Sequence, residues 1–421
     1  MATWKAEVFE NEYLAADATD VHAIVSIECS DAGTAGQSGA AAELIVIDTS
    51  GSMASPHAKI VAAREAAAAA IDAITDDTYF AVIAGNQAAR HVYPYHSGMV
   101  PASEQSRGDA KEAVRHLDTQ GGTAIGSWLQ AAIAVFGSVE AAQCHAILLT
   151  DGRDETETPE ELQSAIAAAT GIFQCDCRGV GADWEVEELR GIASALLGSV
   201  DIIAEPAAMA DDFRQMMETS MGRGVADARL RFWAPQGAEV MFVRQVAPTI
   251  EDLTNRATQV SPLIRDFPTG SWGDEQRDYH VAVRVPAKPL GAEQLAARVQ
   301  LMVGDEIVAQ GLVRATWSDD STLTTRINPA VAHYTGQAEL ADAIQQGLAA
   351  KAAGDDVTAT LKLGRAAKLA AETGNDEATN KLKRVVNIDD PETGTVRLKR
   401  DVSKLDEMAL DTSSTKTTRV K

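Results

Sequence analysis

Between residues 43 and 222 short apolar runs alternate with longer amphipathic stretches. The runs are residues 44–47, 79–84, 146–149, 172–180 and 200–204. Between them lie residues 58–74, 104–117, 124–136, 159–169, 184–197 and 207–221, with apolar positions at helical spacing and little punctuation. A strand that is apolar at nearly every position is buried on both faces, and intervening helices supply the cover. This segment therefore predicts a mainly parallel, doubly wound α/β domain. Such sheets hold ligands at the carboxyl ends of their strands, where the strand order reverses.

The flanking segments have a different texture. Residues 7–29 include Val21-His22-Ala23-Ile24-Val25-Ser26-Ile27, with period-two character. Residues 230–233, 239–246, 277–285, 298–303 and 307–317 are strand-like and separated by Pro and Gly, with a helix expected only near residues 293–297. Strands on both sides of the α/β block predict a β-sandwich into which that block is inserted, with Gly-, Ala- and Ser-rich residues 31–40 as the linker. Residues 339–353 and 356–372 are Ala-, Leu- and Lys-rich helical stretches separated by Gly354-Asp355, a helix stop and a helix cap. A third short helix is expected at residues 377–386. The expected organisation is thus residues 1–40 as strand and linker, 41–222 as the doubly wound (Rossmann-like) domain, 223–327 as the β-sandwich and 328–387 as a helical hairpin. The polar residues 388–421 are expected to be a disordered tail.

Composition narrows the function. A chain of 421 residues with 45% hydrophobic and 23% charged positions is that of a soluble protein of two or three domains. A net charge of −24 argues against nucleic acid as the partner and draws cations towards the molecule. No apolar run approaches the roughly 18 residues that span a bilayer. The start, Met1-Ala2-Thr3-Trp4-Lys5-Ala6-Glu7, lacks the features of a signal peptide, so membrane insertion is not expected. The four cysteines, Cys29, Cys144, Cys175 and Cys177, lie in apolar, strand-like surroundings and are expected to be buried thiols in a reducing cytoplasm. Cys175-Asp176-Cys177 as a metal or redox pair is the weaker alternative.

The chemistry is concentrated at three strand or loop ends. Residues 44–47 run into Asp48-Thr49-Ser50-Gly51-Ser52-Met53, which puts a carboxylate and two hydroxyls on a tight turn. Gly121-Gly122-Thr123 enters a helix and supplies a third hydroxyl. Another apolar strand ends in Thr150-Asp151-Gly152 and supplies a second carboxylate. In a parallel sheet these ends share one edge, so the five groups converge. An all-oxygen set suits a hard cation: Mg²⁺ first, with Mn²⁺ or Ca²⁺ as alternatives, and neither zinc nor copper.

Asp48, Ser50, Ser52, Thr123 and Asp151, in this order and spacing, resemble the metal-ion-dependent adhesion site of the von Willebrand factor A family. The resemblance covers roughly residues 43–221. It implies direct coordination by Ser50, Ser52 and Thr123, with Asp48 and Asp151 acting through water. It also implies an open position filled by a partner protein's Asp or Glu, and a possible coupling to the last helix, residues 207–221. The whole layout is similar to bacterial, cytoplasmic, single-chain members found beside kinases, phosphatases or AAA+ ATPases.

Plainer readings compete. Asp48, Ser50 and Ser52 could simply cap the following helix, but Thr123 and Asp151 at matching ends make five structural coincidences. A haloacid-dehalogenase phosphatase would carry an acid where Ser50 stands. There is no G-x-S-x-G, no phosphate loop and no H-E-x-x-H. A non-enzymatic interaction module is therefore expected, with a Mg²⁺-dependent phosphate-ester hydrolase as the alternative. His57, His91 and His96 are expected in surface loops. The acidic run from Asp151 to Glu157 is expected to be solvated, with a second cation site as its alternative. Thr412, Thr415, Thr417 and Thr418 would suit a Ser/Thr kinase and a forkhead-associated reader if the tail were free, the alternative being an inert tail.

Overall fold

The computed structural model describes residues 2–34, 40–226 and 228–419. They form two compact units, residues 33–226 and residues 1–32 with 227–421. The chain begins with β1 (Thr3–Glu10), β2 (Tyr13–Leu14) and β3 (Asp20–Ser30). The α/β unit follows as β4 (Ala41–Asp48), α1 (Ala58–Ala73), β5 (Tyr79–Gly85), β6 (Ala89–Tyr93), β7 (Val100–Pro101) and α2 (Glu104–Arg115). It continues through α3 (Ile125–Phe136), β8 (Gln143–Thr150), α4 (Pro159–Ala169), β9 (Gln174–Val180), α5 (Val186–Ala195), β10 (Val200–Ile203) and α6 (Met209–Met221).

The sheet of this unit has the order β10–β9–β8–β4–β5–β6, with β7 also pairing with β5. The five strands from β10 to β5 are parallel, and β6 and β7 run antiparallel to β5. After β4 the chain adds β5 on one side and later returns to add β8 on the other, so the order reverses between β4 and β8. Their register pairs Ile47 with Leu149, which brings Asp48 and Thr150 out of the sheet at one level. β4 is buried at every position, as a central strand covered on both faces must be. Alanines of α1 (Ala63, Ala66, Ala67 and Ala70) pack with Ile45, Ile47, Phe80 and Val82, and with Phe213, Met216 and Met217 of α6. Gly85, at the end of β5, lies under the indole of Trp128 from α3. A Cβ there would stand 2.3 Å from Trp128 Cε2, and the indole N–H donates to the Asn86 carbonyl at 2.7 Å.

A buried polar cluster sits inside this apolar sheet. His145 of β8 bridges Glu43 of β4 at 2.7 Å and Asp176 of β9 at 2.9 Å. Ser220 of α6 donates to the other Glu43 oxygen at 2.7 Å, and Ser199 donates to Asp176 through both its N–H and its hydroxyl at 2.6 Å. Burial alone would lower the His145 pKa, but the two flanking carboxylates outweigh it and push it up to about 9. Asp176 is held well below the usual carboxylate range despite its own burial, chiefly by its hydrogen bond to His145.

The second unit resumes with β11 (Ala228–Trp233), β12 (Glu239–Ala247), β13 (Glu251–Asp252), β14 (Thr258–Ser261), β15 (Ile264–Pro268), β16 (Glu275–Arg284), β17 (Glu293–Val303) and β18 (Glu306–Trp317). Two sheets result, β1–β3–β16–β12–β13 and β14–β15–β11–β17–β18–β2. β18 lies against β1 and β3: a Cβ on Gly311 would stand 2.6 Å from Val8 Cγ2. The helix expected near residues 293–297 is strand instead. Pairing of Glu293 with Thr316 and of Ala297 with Val313 overrides its local helical spacing.

Helices α7 (Ser321–Thr324), α8 (Pro329–Ala352), α9 (Asp356–Glu372) and α10 (Asp376–Val385) follow. Asp355 caps α9 by accepting from Thr358 N at 3.0 Å. The expected disordered tail is ordered to residue 419. It forms β19 (Val386–Asp390), β20 (Thr395–Leu398) and α11 (Lys404–Ser413). Val396 and Leu410 of the tail join Leu340, Ile344, Leu363 and Leu382 in one cluster, with Ile388, Leu398 and Val402 packed against it, so the tail borrows a core it could not build. The tail threonines are likewise engaged. Thr412 is buried, Thr417 donates to the Val246 carbonyl at 2.6 Å, and the Thr418 hydroxyl accepts from Gln337 at 3.0 Å. A free, kinase-accessible strip is not what these residues form. Among the described residues no helix is long and apolar enough to cross a membrane.

The buried histidine predicts a pH effect. Because its folded pKa is raised from 6.5 to about 9, its contribution is complete below pH 6.5 and is lost as pH rises through 9. The contribution is on the order of 3 kcal/mol. The melting temperature should fall between pH 7 and 9.5, and His145→Gln should start lower at pH 7 and be flat across that window. Thermal melts in matched buffers read this directly.

Candidate metal centre

The centre is built at the point where the strand order reverses. Asp48 ends β4, and the turn after it folds back so that Ser50 N donates to Asp48 Oδ1 at 2.7 Å. Thr150, ending β8, donates its hydroxyl to Asp48 Oδ2 at 2.5 Å. The Ser50 and Ser52 hydroxyls lie 2.9 Å apart, and Ser52 donates to Asp151 Oδ1 at 2.6 Å. The third loop is fastened to this turn by its backbone. Gly51 N donates to the Gly121 carbonyl at 2.9 Å, and Gln120 N donates to the Thr49 carbonyl at 2.8 Å. Gly121 is needed here because its φ is +78°, and Gln87 Oε1 packs against it while accepting from Gly122 N at 3.1 Å. A Cβ on Gly152 would stand 3.2 Å from Thr123 Oγ1 and 3.5 Å from Ser52 Oγ, so both hydroxyls lie beside Gly152.

All five residues singled out in the sequence are therefore brought together. Asp48, Ser50, Thr123 and Asp151 are buried, and Ser52 is exposed at the mouth. No group among the described residues hydrogen-bonds Thr123 Oγ1, although the residue is only 4% exposed. Burial pushes the Asp48 carboxyl up to about 6; hydrogen bonds from Ser50 and Thr150 oppose this, and the Asp151 charge adds to it. Two carboxylates and three hydroxyls converging in a mostly buried pocket form a donor set that fits a hard divalent cation. Among the described residues no group of three or more His, Cys, Asp or Glu side chains is placed to hold a metal, so such a centre depends on its hydroxyls.

Several positioning residues carried no sequence signal. Thr150 fixes Asp48, as above. Lys59, the second residue of α1, donates to Asp151 Oδ2 at 2.6 Å. The acidic run is not solvated throughout. Glu157 accepts from Gly126 N at 2.7 Å and Ser127 N at 2.8 Å, and Asp154 accepts from Ile125 N at 3.0 Å. Ala124, at the start of α3, cannot cap it, and these two acids do so instead. Thr156 also donates to the Thr123 carbonyl at 2.8 Å, so the acidic loop clamps the loop that carries Thr123. His57 and His96 are exposed and His91 is half-buried. Cys175 and Cys177 are buried thiols 3.9 Å apart.

A doubly wound domain with an all-oxygen centre at its switch point defines a class of proteins that grip ligands at a strand edge. A family model described as the von Willebrand factor type A domain matches residues 43–202. A second, the von Willebrand factor type A C-terminal domain, matches residues 368–414, the segment that includes the ordered tail. A solved structure of a von Willebrand factor type A protein from Catenulispora acidiphila is 49% identical. The match covers 99% of this chain and 97% of that one, with a TM-score of 0.95. The chain belongs to the von Willebrand factor type A family, whose members generally act as metal-dependent protein-interaction modules. Two more distant structures share the fold alone. The ArnB paralog VWA2 from Sulfolobus acidocaldarius is 15% identical, covering 97% of each chain, with a TM-score of 0.56. The human COPII-coat protein Sec24c is 11% identical over 90% of this chain and 57% of that one, also at 0.56. No curated protein matches the chain.

The capping by the acidic loop predicts a measurable cost. Glu157→Ala removes two hydrogen bonds from a helix start and should destabilise the α/β unit by about 1–2 kcal/mol in urea unfolding. Glu157→Gln, which keeps an acceptor, should lose less.

Proposed function

We propose that this protein is a metal-dependent interaction module that presents a divalent cation, Mg²⁺ by preference, to an Asp or Glu of a partner protein. What supports this is the meeting of Asp48, Ser50, Ser52, Thr123 and Asp151 around one point whose exposed side is the Ser52 hydroxyl. Ser50, Ser52 and Thr123 would hold the metal, and Asp48 and Asp151 would balance its charge directly or through water. Direct ligation by neutral hydroxyls leaves the cation electrophilic enough to take an external carboxylate. The two sheets of the other unit are read as one β-sandwich interrupted by residues 33–226. The free cysteines fit action in the cytoplasm.

The module works by binding and not by turnover. Neither His57 nor His96, both exposed, hydrogen-bonds any of the five residues, so neither is placed as a general base for hydrolysis.

Two outcomes are expected. Mg²⁺ or Mn²⁺ should raise the melting temperature of the wild type, while Asp48→Ala and Ser50→Ala/Ser52→Ala should show no such rise. Affinity capture from lysate should retain one set of proteins that is lost with EDTA and with the double variant. Capture that is indifferent to both treatments, or Mg²⁺-dependent phosphatase turnover abolished by Asp48→Ala, would replace this reading with another.

A further inference from the structure

Lys59 is a buried lysine in a unit where most charged side chains face solvent; its side chain is 9% exposed. Its ammonium meets Asp151 Oδ2 at 2.6 Å and lies 3.8 Å from Asp183, which is 76% exposed. The other Asp151 oxygen, Oδ1, faces the Ser52 hydroxyl. Asp151 is thus shared: one oxygen is committed to a tethered cation and one is turned to the metal position. Asp48, whose oxygens take Ser50 N and the Thr150 hydroxyl, has no basic partner among the described residues.

We infer that Lys59 is a built-in counter-ion that weakens metal binding at this centre and, once metal is loaded, gives the centre a net positive charge. The inference rests on the metal-binding reading above and adds what sets its strength. Two carboxylates with a dication alone would be neutral, and an external anion would gain little beyond the coordination bond. The Lys59 ammonium adds one positive charge beside them in a site where charges are poorly screened, while Asp183, 76% exposed, is screened by solvent and offsets little of it. A metal approaching Asp151 then meets a half-neutralised carboxylate and binds less tightly. An anionic ligand approaching the loaded centre meets an excess of positive charge and binds more tightly. Lys59 is in this sense a positioning residue that trades metal affinity for affinity towards a carboxylate.

The test is calorimetric titration of Mn²⁺ into the full chain as wild type, Lys59→Met and Lys59→Arg at one pH. Lys59→Met should bind Mn²⁺ more tightly by at least about tenfold, and Lys59→Arg should stay near the wild type. A purely structural lysine would not give a tighter site on removal. Without metal, Lys59→Met leaves Asp151 buried with no charged partner, so it should melt lower and gain more from Mn²⁺ than the wild type does. Should it fail to fold without metal, Mn²⁺ should fold it, read by circular dichroism. In the Mn²⁺-loaded proteins acetate should displace metal-bound water, read by proton relaxation, at lower concentration in wild type than in Lys59→Met. Equal or weaker Mn²⁺ binding by Lys59→Met, or the reverse order with acetate, overturns the inference and leaves the metal reading standing. Absence of Mn²⁺ uptake by all three proteins removes both.

Discussion

Parallel pairing of β4 with β8 forces two carboxylates, Asp48 and Asp151, to leave the sheet side by side with no solvent exposure. Like charges so placed cost several kcal/mol each unless something compensates them. The surroundings assign a partner to each oxygen: Ser50 N and Thr150 for Asp48, and Ser52 and Lys59 for Asp151. Only one of these partners carries a charge. A dication among Ser50, Ser52 and Thr123 would supply what hydroxyls and one ammonium cannot, which is why the pocket makes most sense as a metal centre.

The remainder of the α/β unit holds that pocket in shape. Gly121 and Gln87 shape the loop bearing Thr123, and the backbone of that loop is tied to the Asp48 turn. Asp154 and Glu157 both turn onto the N-terminus of α3, where burial and the neighbouring Asp154 push the Glu157 carboxyl up to about 7. Their negative field is therefore directed into a helix start, and an approaching carboxylate meets less repulsion than the composition of residues 151–157 suggests. At the other end of the strands, His145 ties Glu43 to Asp176, and Ser220 ties Glu43 to α6. A displacement of α6 would have to break a buried hydrogen bond, a constraint on any coupling between this helix and the centre.

The sequence was most legible where hydrophobic pattern and motif agree. Continuous apolar runs gave the parallel strands, and the hydroxyl and carboxyl positions after β4, before α3 and after β8 marked the loops that the fold gathers at one edge. What escaped lay in contacts distant along the chain. Nothing in Lys59, one polar residue near the start of an Ala-rich helix, indicates that its side chain turns inward to Asp151, 92 residues away. Glu157 looks like part of a solvated run until Ala124 is seen to leave α3 without a cap. Residues 388–419 look disordered because their apolar residues are sparse, yet Val396 and Leu410 find cover on helices built earlier in the chain. Residues 293–297 have helical spacing but pair as strand, since edge-to-edge bonding with β18 outweighs local propensity.

The account stands or falls on whether a cation sits among those hydroxyls. Crystals of the full chain soaked in Mn²⁺, with diffraction collected at the manganese absorption edge, locate it without reference to any partner. An anomalous peak about 2.1–2.3 Å from the Ser50 and Ser52 hydroxyl oxygens, with Thr123 in its direct or water-bridged shell, is the predicted result. A peak elsewhere on the molecule, or none at a concentration that saturates ordinary oxygen sites, would contradict it.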